Sequence, residues 1–135
     1  MTTVNLNFIT DRTPLLHLQE ILKSENSTRA TGIHDLWTIL YPAGFIIAEI
    51  DGLIVGAASL SHINEIGEIH KLYVSPEYRG LEIARNLVSE SVQHLSKLGA
   101  TEILIEPTDE SSEFWNMVRA NYDTADIDQR FFIVV

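Results

Sequence analysis

From Val4 to Phe8 the chain alternates, with Val4, Leu6 and Phe8 set against Asn5 and Asn7, and this two-residue period predicts a strand over residues 4–9. Thr13-Pro14 has the form of a helix N-cap followed by proline at the first helical position, where its missing N–H removes no bond. Leu15, Leu18 and Leu22 then predict an amphipathic helix to about Lys23. Residues 24–32 are polar and punctuated, hence a loop, and residues 35–40 read as a second short helix stopped by Pro42 and Gly44. Apolar runs at 45–50 and 53–60 flank Asp51-Gly52, a dipeptide suited to the positive φ values of a type I′ hairpin. After polar residues 61–65 a third strand of this group covers 67–74 and stops at Ser75-Pro76. Between 80 and 98 the spacing turns helical: Ala84, Leu87, Val88, Ser91, Leu95 and Leu98 share a face, and Gly99 suits a C-terminal cap. A short apolar strand at 103–105, a helix at 113–120 and a last strand at 131–135 complete the order, with room for one more strand before the last. Hairpin strands followed by a strand–helix–strand unit predict a mixed α/β sandwich and not a doubly wound sheet.

No repeat, low-complexity tract or Gly/Ser/Pro linker interrupts the 135 residues, so a single domain over 1–135 is expected. With 45% hydrophobic and 21% charged residues the composition is that of a folded globular protein. The formal charge of −10 opposes generic nucleic-acid binding and favours a cationic small substrate or a basic partner. The absence of cysteine excludes disulfides, thiolate metal sites and a cysteine nucleophile. The five histidines have no metal-ligand spacing, and no Gly-x-Ser-x-Gly or Walker pattern occurs. Without a membrane-length apolar run or a secretory leader pattern, a cytoplasmic location is the expectation.

Chemistry concentrates at residues 67–80, where a strand passes through a tight turn into the long helix. A helix start offers unpaired N–H groups and the positive end of the dipole, a cradle for an anion, and Arg79 and Arg85 bracket it. The plainer alternative is that Arg79-Gly80 only makes the turn and Arg85 is a surface charge.

The run Glu68-Ile69-His70-Lys71-Leu72-Tyr73-Val74-Ser75-Pro76-Glu77-Tyr78-Arg79-Gly80 resembles the central motif of the GCN5-related N-acetyltransferases (the GNAT superfamily), and the element order is similar over essentially the whole chain. The resemblance implies a mixed, mostly antiparallel sheet with splayed central strands and helices on both faces, and acetyl-coenzyme A in the cleft between those strands. It implies that the diphosphate is held by backbone N–H groups of a turn with the pattern Arg/Gln-x-x-Gly-x-Gly/Ala. Here that turn reads Arg79-Gly80-Leu81-Glu82-Ile83-Ala84, followed by Arg85, with Glu82 where the family has glycine. Such a glutamate either brings a Cβ and a negative charge up to the phosphates, or turns to solvent in the first helical turn, where an acid suits the dipole.

By the same resemblance, Glu68 occupies the position of a general base, with a solvated or salt-bridged strand residue as the alternative, and His70 is a lesser candidate. The backbone N–H of Leu72 would polarise the thioester carbonyl, with main-chain groups of Val74 along the pantetheine arm and Tyr73 also among the cofactor-binding residues. The tyrosine that protonates the thiolate in the family is missing, because the corresponding region is Phe114-Trp115-Asn116; Tyr73 and Tyr122 are the tyrosines considered nearby, Tyr122 as a packing residue. Trp37 and Tyr41 are candidate acceptor-wall residues that could equally be core. Residues 101–128 hold eight carboxylates against one arginine, either a solvated surface or a rim that attracts a cationic acceptor. Phe131-Phe132-Ile133-Val134-Val135 is expected at a sheet edge, which makes a homodimer joined there plausible. Two functions follow: transfer of an acetyl group from acetyl-coenzyme A to a primary amine on a small molecule or peptide, or a silent binding module of the same architecture.

Overall fold

In the computed structural model, which describes residues 3–80 and 82–135, seven strands form one sheet in the order β1-β2-β3-β4-β5-β7-β6. In chain order the elements are β1 (Asn5–Ile9), α1 (Leu16–Asn26), β2 (Pro42–Ile50), β3 (Leu53–Ile63), β4 (Ile66–Val74), α2 (Ile83–Lys97), β5 (Glu102–Ile105), α3 (Ser112–Arg119), β6 (Asp123–Ile127) and β7 (Arg130–Val134). Only the β4–β5 pair is parallel, and α2 is its crossover. The mixed, mostly antiparallel architecture expected from the sequence is therefore present. No helix among the described residues is long and apolar enough to cross a membrane.

Two apolar layers hold the sheet between helices. On one face Leu87, Val88 and Leu95 of α2, with Trp115 and Val118 of α3, pack against Ile46, Leu60, Ile69, Ile103 and Ile133. On the other, Leu15, Leu18 and Leu22 at α1 meet Phe45, Ile47, Ala57 and Tyr73. Each fully buried Leu or Ile contributes about 1.5–3 kcal/mol relative to exposure. Gly67 lets α2 sit close, since a Cβ there would lie 3.1 Å from Leu95 Cδ1.

Four local expectations need correction. Residues 35–40 are a loop, not a helix: Asp35 accepts the N–H groups of Trp37 (3.0 Å) and Thr38 (2.7 Å) as a helix cap would, but no helical turn follows. The segment is tied to its neighbours by Leu36 N–H donating to Gln19 Oε1 (3.0 Å) and Lys71 Nζ donating to Asp35 (3.1 Å). Thr13-Pro14 opens a single 3₁₀ turn bonded to Asp11 Oδ1, and α1 proper starts at Leu16 and runs on to Asn26. The long helix α2 begins at Ile83 and not at Gly80, because Gly80 (φ 84°) and Glu82 (φ 62°) are left-handed. Finally, β7 is no edge: it pairs with β5 on one side and β6 on the other, so the apolar C-terminal run is satisfied within the chain and its case for joining two copies falls. The edge is the polar β6, whose Asp123 and Asp126 protect it from pairing.

Candidate functional site

The geometry of the site starts with a β-bulge. Leu60 of β3 faces Ile69 of β4 while the preceding Ser59 faces Lys71, so His70 is an extra residue without a partner of its own. A bulge bends its strand and tightens the local twist. The parallel pairing of β4 with β5 ends one residue earlier, at Ile69 opposite Ile105. β4 then runs five residues further, to Val74, with no strand beside it on that edge. The gap is a cleft of about 570 Å³. Ile69, His70, Leu72, Tyr73 and Val74 line one wall and Ile105, Glu106, Phe114 and Trp115 the other, with Gly80, Glu82, Ile83, Ala84 and Arg85 at the head of α2.

Alternation along β4 decides which main-chain groups face the gap. The Lys71 N–H is bonded to Ser59 Oγ (3.1 Å) and the Ser75 N–H to the Val55 carbonyl (2.8 Å), both toward β3. The intervening amides of Leu72 and Val74 therefore point to the opposite edge, where β5 has ended. The carbonyl of Val74 already accepts Arg79 Nε at 3.0 Å.

At the head of α2 the first turn has no side-chain cap, and among the described residues the first helical N–H with a carbonyl partner is that of Asn86, bonded to Glu82. Those leading N–H groups and the helix dipole open onto the cleft. A Cβ at Gly80 would meet no atom, so its left-handed φ alone accounts for a glycine there. Glu82 is itself left-handed, which explains why glycine suits this position sterically. Its side chain is 71% exposed and its carboxylate meets Arg85 Nη1 at 3.2 Å, so it turns outward into an ion pair. Leu81 lies outside the described residues.

Arg79 differs from the free cation expected at the turn. Its guanidinium forms two parallel bonds to Glu25 at the end of α1 (2.8 and 2.7 Å) and stacks 5.5 Å from the Tyr73 ring. The Tyr73 hydroxyl donates to the same carboxylate at 2.7 Å. The Arg79 bonds, joined by that of Tyr73, hold the Glu25 carboxyl below its usual range against the opposing effect of burial. Burial foremost, then Glu25, drives the Tyr73 phenol far up, and its proton is engaged by Glu25. Glu25 was not singled out by the sequence; its signal, an acid one helical turn past Leu22 on α1, is indistinguishable from a surface charge.

Glu68 and His70 come together on the other side of the bulge, with His70 Nδ1 3.1 Å from Glu68 Oε2. Burial, reinforced by Glu106 and opposed by Arg130, raises the Glu68 carboxyl. Burial with Lys71 lowers the His70 imidazole, against Glu106. Both shifts disfavour charge, and the two side chains are within hydrogen-bond distance of each other.

Of this pair only His70 lines the cleft, and the remaining candidates divide between the cleft and other places. Trp37 packs with the α1-side core under Arg12, and Tyr41 is exposed; neither lines the cleft, whose α1-side wall is instead Glu25, Arg29, Thr31 and Ile33. Tyr122 lines a separate hollow of about 290 Å³ between α2 and α3. Trp115 is buried and edge-on to Phe131. Tyr78, which the sequence reading passed over, lines the main cleft. Of the acidic stretch, Glu106 and Glu110 reach the cleft, whereas Asp126 pairs with Arg119 at 2.6 Å.

Comparison with known proteins agrees with this geometry. The family model described as Acetyltransferase (GNAT) family matches residues 14–117. An uncharacterised N-acetyltransferase of Archaeoglobus fulgidus is 34% identical over 86 residues, which is 58% of this chain and only about half (52%) of that relative. The PaiA N-acetyltransferase of Thermoplasma acidophilum, solved in complex with coenzyme A, superposes with a TM-score of 0.69 at 18% identity over 97% of both chains. An aminoglycoside acetyltransferase from an uncultured soil metagenomic sample, solved with sisomicin, gives a TM-score of 0.67 at 14% identity over 92% of this chain and 90% of that one. Bulge, splayed strands, turn and helix start thus sit in a matched region covering most of the sequence, and the chain belongs to the GNAT acetyltransferase family.

Proposed function

We propose that this protein transfers an acetyl group from acetyl-coenzyme A to a primary amine carried by a small molecule or a basic peptide. The observation that carries the reading is the departure of β4 from β5 at His70, which opens a cleft onto the uncapped start of α2. Acetyl-coenzyme A brings an acetyl group activated as a thioester and a diphosphate that can be gripped. The donor set fits that group: N–H groups of Ile83, Ala84 and Arg85 suit an anion, and the Leu72 and Val74 amides suit carbonyls along an extended arm. The outward pairing of Glu82 with Arg85 supports the enzyme over the silent module, because the carboxylate does not fill the turn.

Glu68 fits the role of the base. An amine attacks only once a proton has left its nitrogen, and a carboxylate whose pKa is raised by burial is a better acceptor than an exposed one. Glu106 and Glu110, in no ion pair among the described residues, add negative charge at the acceptor end and favour a cationic substrate. The aminoglycoside acetyltransferase solved with sisomicin is in keeping with a polyamine-like acceptor.

The direct experiment is release of free thiol from acetyl-coenzyme A with a panel of diamines, aminoglycosides and lysine-rich peptides. Amine-dependent release that saturates, and an acetylated product by mass spectrometry, are the expected results. Binding of coenzyme A with no amine-dependent release across the panel would favour the silent module.

A further inference from the structure

One hydrogen-bonded array runs from His70, which lines the cleft, to Ser61 and Glu68, which do not. Ser61 of β3 is in register with Glu68, and the bulge turns His70 back between them. Ser61 Oγ is 2.9 Å from His70 Nε2, and His70 Nδ1 is 3.1 Å from Glu68 Oε2. Ser61 is buried and does not line the cleft, so the trio is not an acylating nucleophile with its relay. It works in the other direction.

We propose that Ser61 is a positioning residue: its hydroxyl locks the His70 ring in the tautomer that donates from Nδ1 to Glu68, and this fixes the carboxylate that takes the proton of the acceptor amine. The catalytic part rests on the transfer reading above. A neutral imidazole carries one N–H, and an ionised carboxylate can only accept. With Nδ1 facing Glu68, the proton belongs on Nδ1, and Nε2 presents a lone pair. Only a donor can satisfy that lone pair, and Ser61 O–H is placed to do so at 2.9 Å. The opposite tautomer would set the Nδ1 lone pair against carboxylate oxygen and leave Ser61 to accept. The charged groups acting on the pair come from three elements: Lys71 on β4, Glu106 just beyond β5, and Arg130 on β7. Lys71 is itself bonded to Asp35 (3.1 Å).

A donor bonded to the carboxylate favours its ionised form. Losing Ser61 lets the ring sample both tautomers, weakens that bond, and moves the acid limb of the rate profile upward by roughly half a pH unit to one. The test uses ¹⁵N-imidazole spectra of the whole protein, followed by pH–rate profiles. In wild type His70 is expected as the Nδ1–H tautomer; Ser61→Ala should show a mixture, and Ser61→Thr, which keeps the hydroxyl on a strand-compatible side chain, should restore the single form. Ser61→Ala should also lose about tenfold in kcat and shift the acid limb, with KM for acetyl-coenzyme A unchanged and Ser61→Thr recovering both. An Nε2–H tautomer in wild type overturns the proposal without any variant having to fold. So does an unchanged tautomer or an unchanged pH profile in Ser61→Ala. If wild type acetylates no amine, the transfer reading fails and the catalytic role of the array fails with it, whatever the tautomer.

Discussion

Replacing Glu82 by glycine changes two quantities that can be separated. The residue sits at φ 62° and ψ 14°, a left-handed conformation that carries about 1–2 kcal/mol of steric penalty for a side chain with a Cβ. Glycine removes that penalty but adds about 0.5–1 kcal/mol of entropy to the unfolded chain. The ion pair with Arg85 is exposed on both sides and is worth about 0.5 kcal/mol or less. The net effect on folding lies between a loss of about 0.5 and a gain of about 1.5 kcal/mol, centred on a gain of about 0.5 kcal/mol, or a few degrees in Tm. Cofactor binding responds to charge instead. A carboxylate and a phosphate about 6 Å apart at an effective dielectric near 20 repel by roughly 3 kcal/mol, and pairing with Arg85 and screening by salt reduce this to about 1 kcal/mol. Coenzyme A should therefore bind Glu82→Gly about 3–10-fold more tightly by calorimetry, with the gain shrinking at high salt. Glu82→Gln, which keeps the strained backbone and drops the charge, should show most of the same gain and none of the Tm rise. Affinity equal to wild type in both variants would refute the placement of a diphosphate beside this turn.

Three further outcomes follow from the same geometry. Glu68→Gln should lower kcat/KM for the amine about 100-fold at neutral pH while coenzyme A affinity stays within about twofold; equal activity across pH would remove Glu68 from the chemistry. Glu25→Ala should cost about 2–3 kcal/mol in urea unfolding, because the Tyr73 hydroxyl and the Arg79 guanidinium both lose their acceptor; a loss under about 0.5 kcal/mol would mean that the clamp is dispensable. Burial raises the Asp35 carboxyl, but bonds from Thr38, Lys71 and Trp37 outweigh it and leave the folded pKa far below the unfolded one. Its contribution is thus full above about pH 4 and lost as pH falls further; the acid limb of Tm should be flatter in Asp35→Asn than in wild type, and coincident limbs would contradict that assignment.

How much of this was legible in the sequence depends on what each residue answers to. Asp51 (φ 50°) and Gly52 (φ 81°) form the expected tight turn with both φ values positive, a local steric requirement visible in two letters. Gly99 (φ 103°) caps α2, with Ala100 N–H bonded to the Leu95 carbonyl, for the same reason. Residues 35–40 misled because six residues of helical periodicity are too few to sustain a helix by themselves, and long-range bonds from Gln19 and Lys71 hold the segment as a loop. β6 left little pattern, since an edge strand with exposed aspartates lacks the alternation that burial imposes. In the site, the tight turn before α2 was readable from the motif. The Glu25–Arg79–Tyr73 clamp was not, because it joins residues 48 and 54 positions apart through the packing of α1 on the sheet. The bulge at His70 was equally hidden, being a property of the register between two strands and not of either alone.

Acetyl transfer at this cleft requires that the open edge of β4 and the start of α2 bind coenzyme A together. An amide ¹H–¹⁵N titration of the protein with coenzyme A measures this residue by residue. The largest saturable shifts should fall on Leu72 and Val74 and on Ile83, Ala84 and Arg85, the amides that face the cleft from its two sides. Saturable shifts confined to other surfaces, or none up to millimolar coenzyme A, would contradict it.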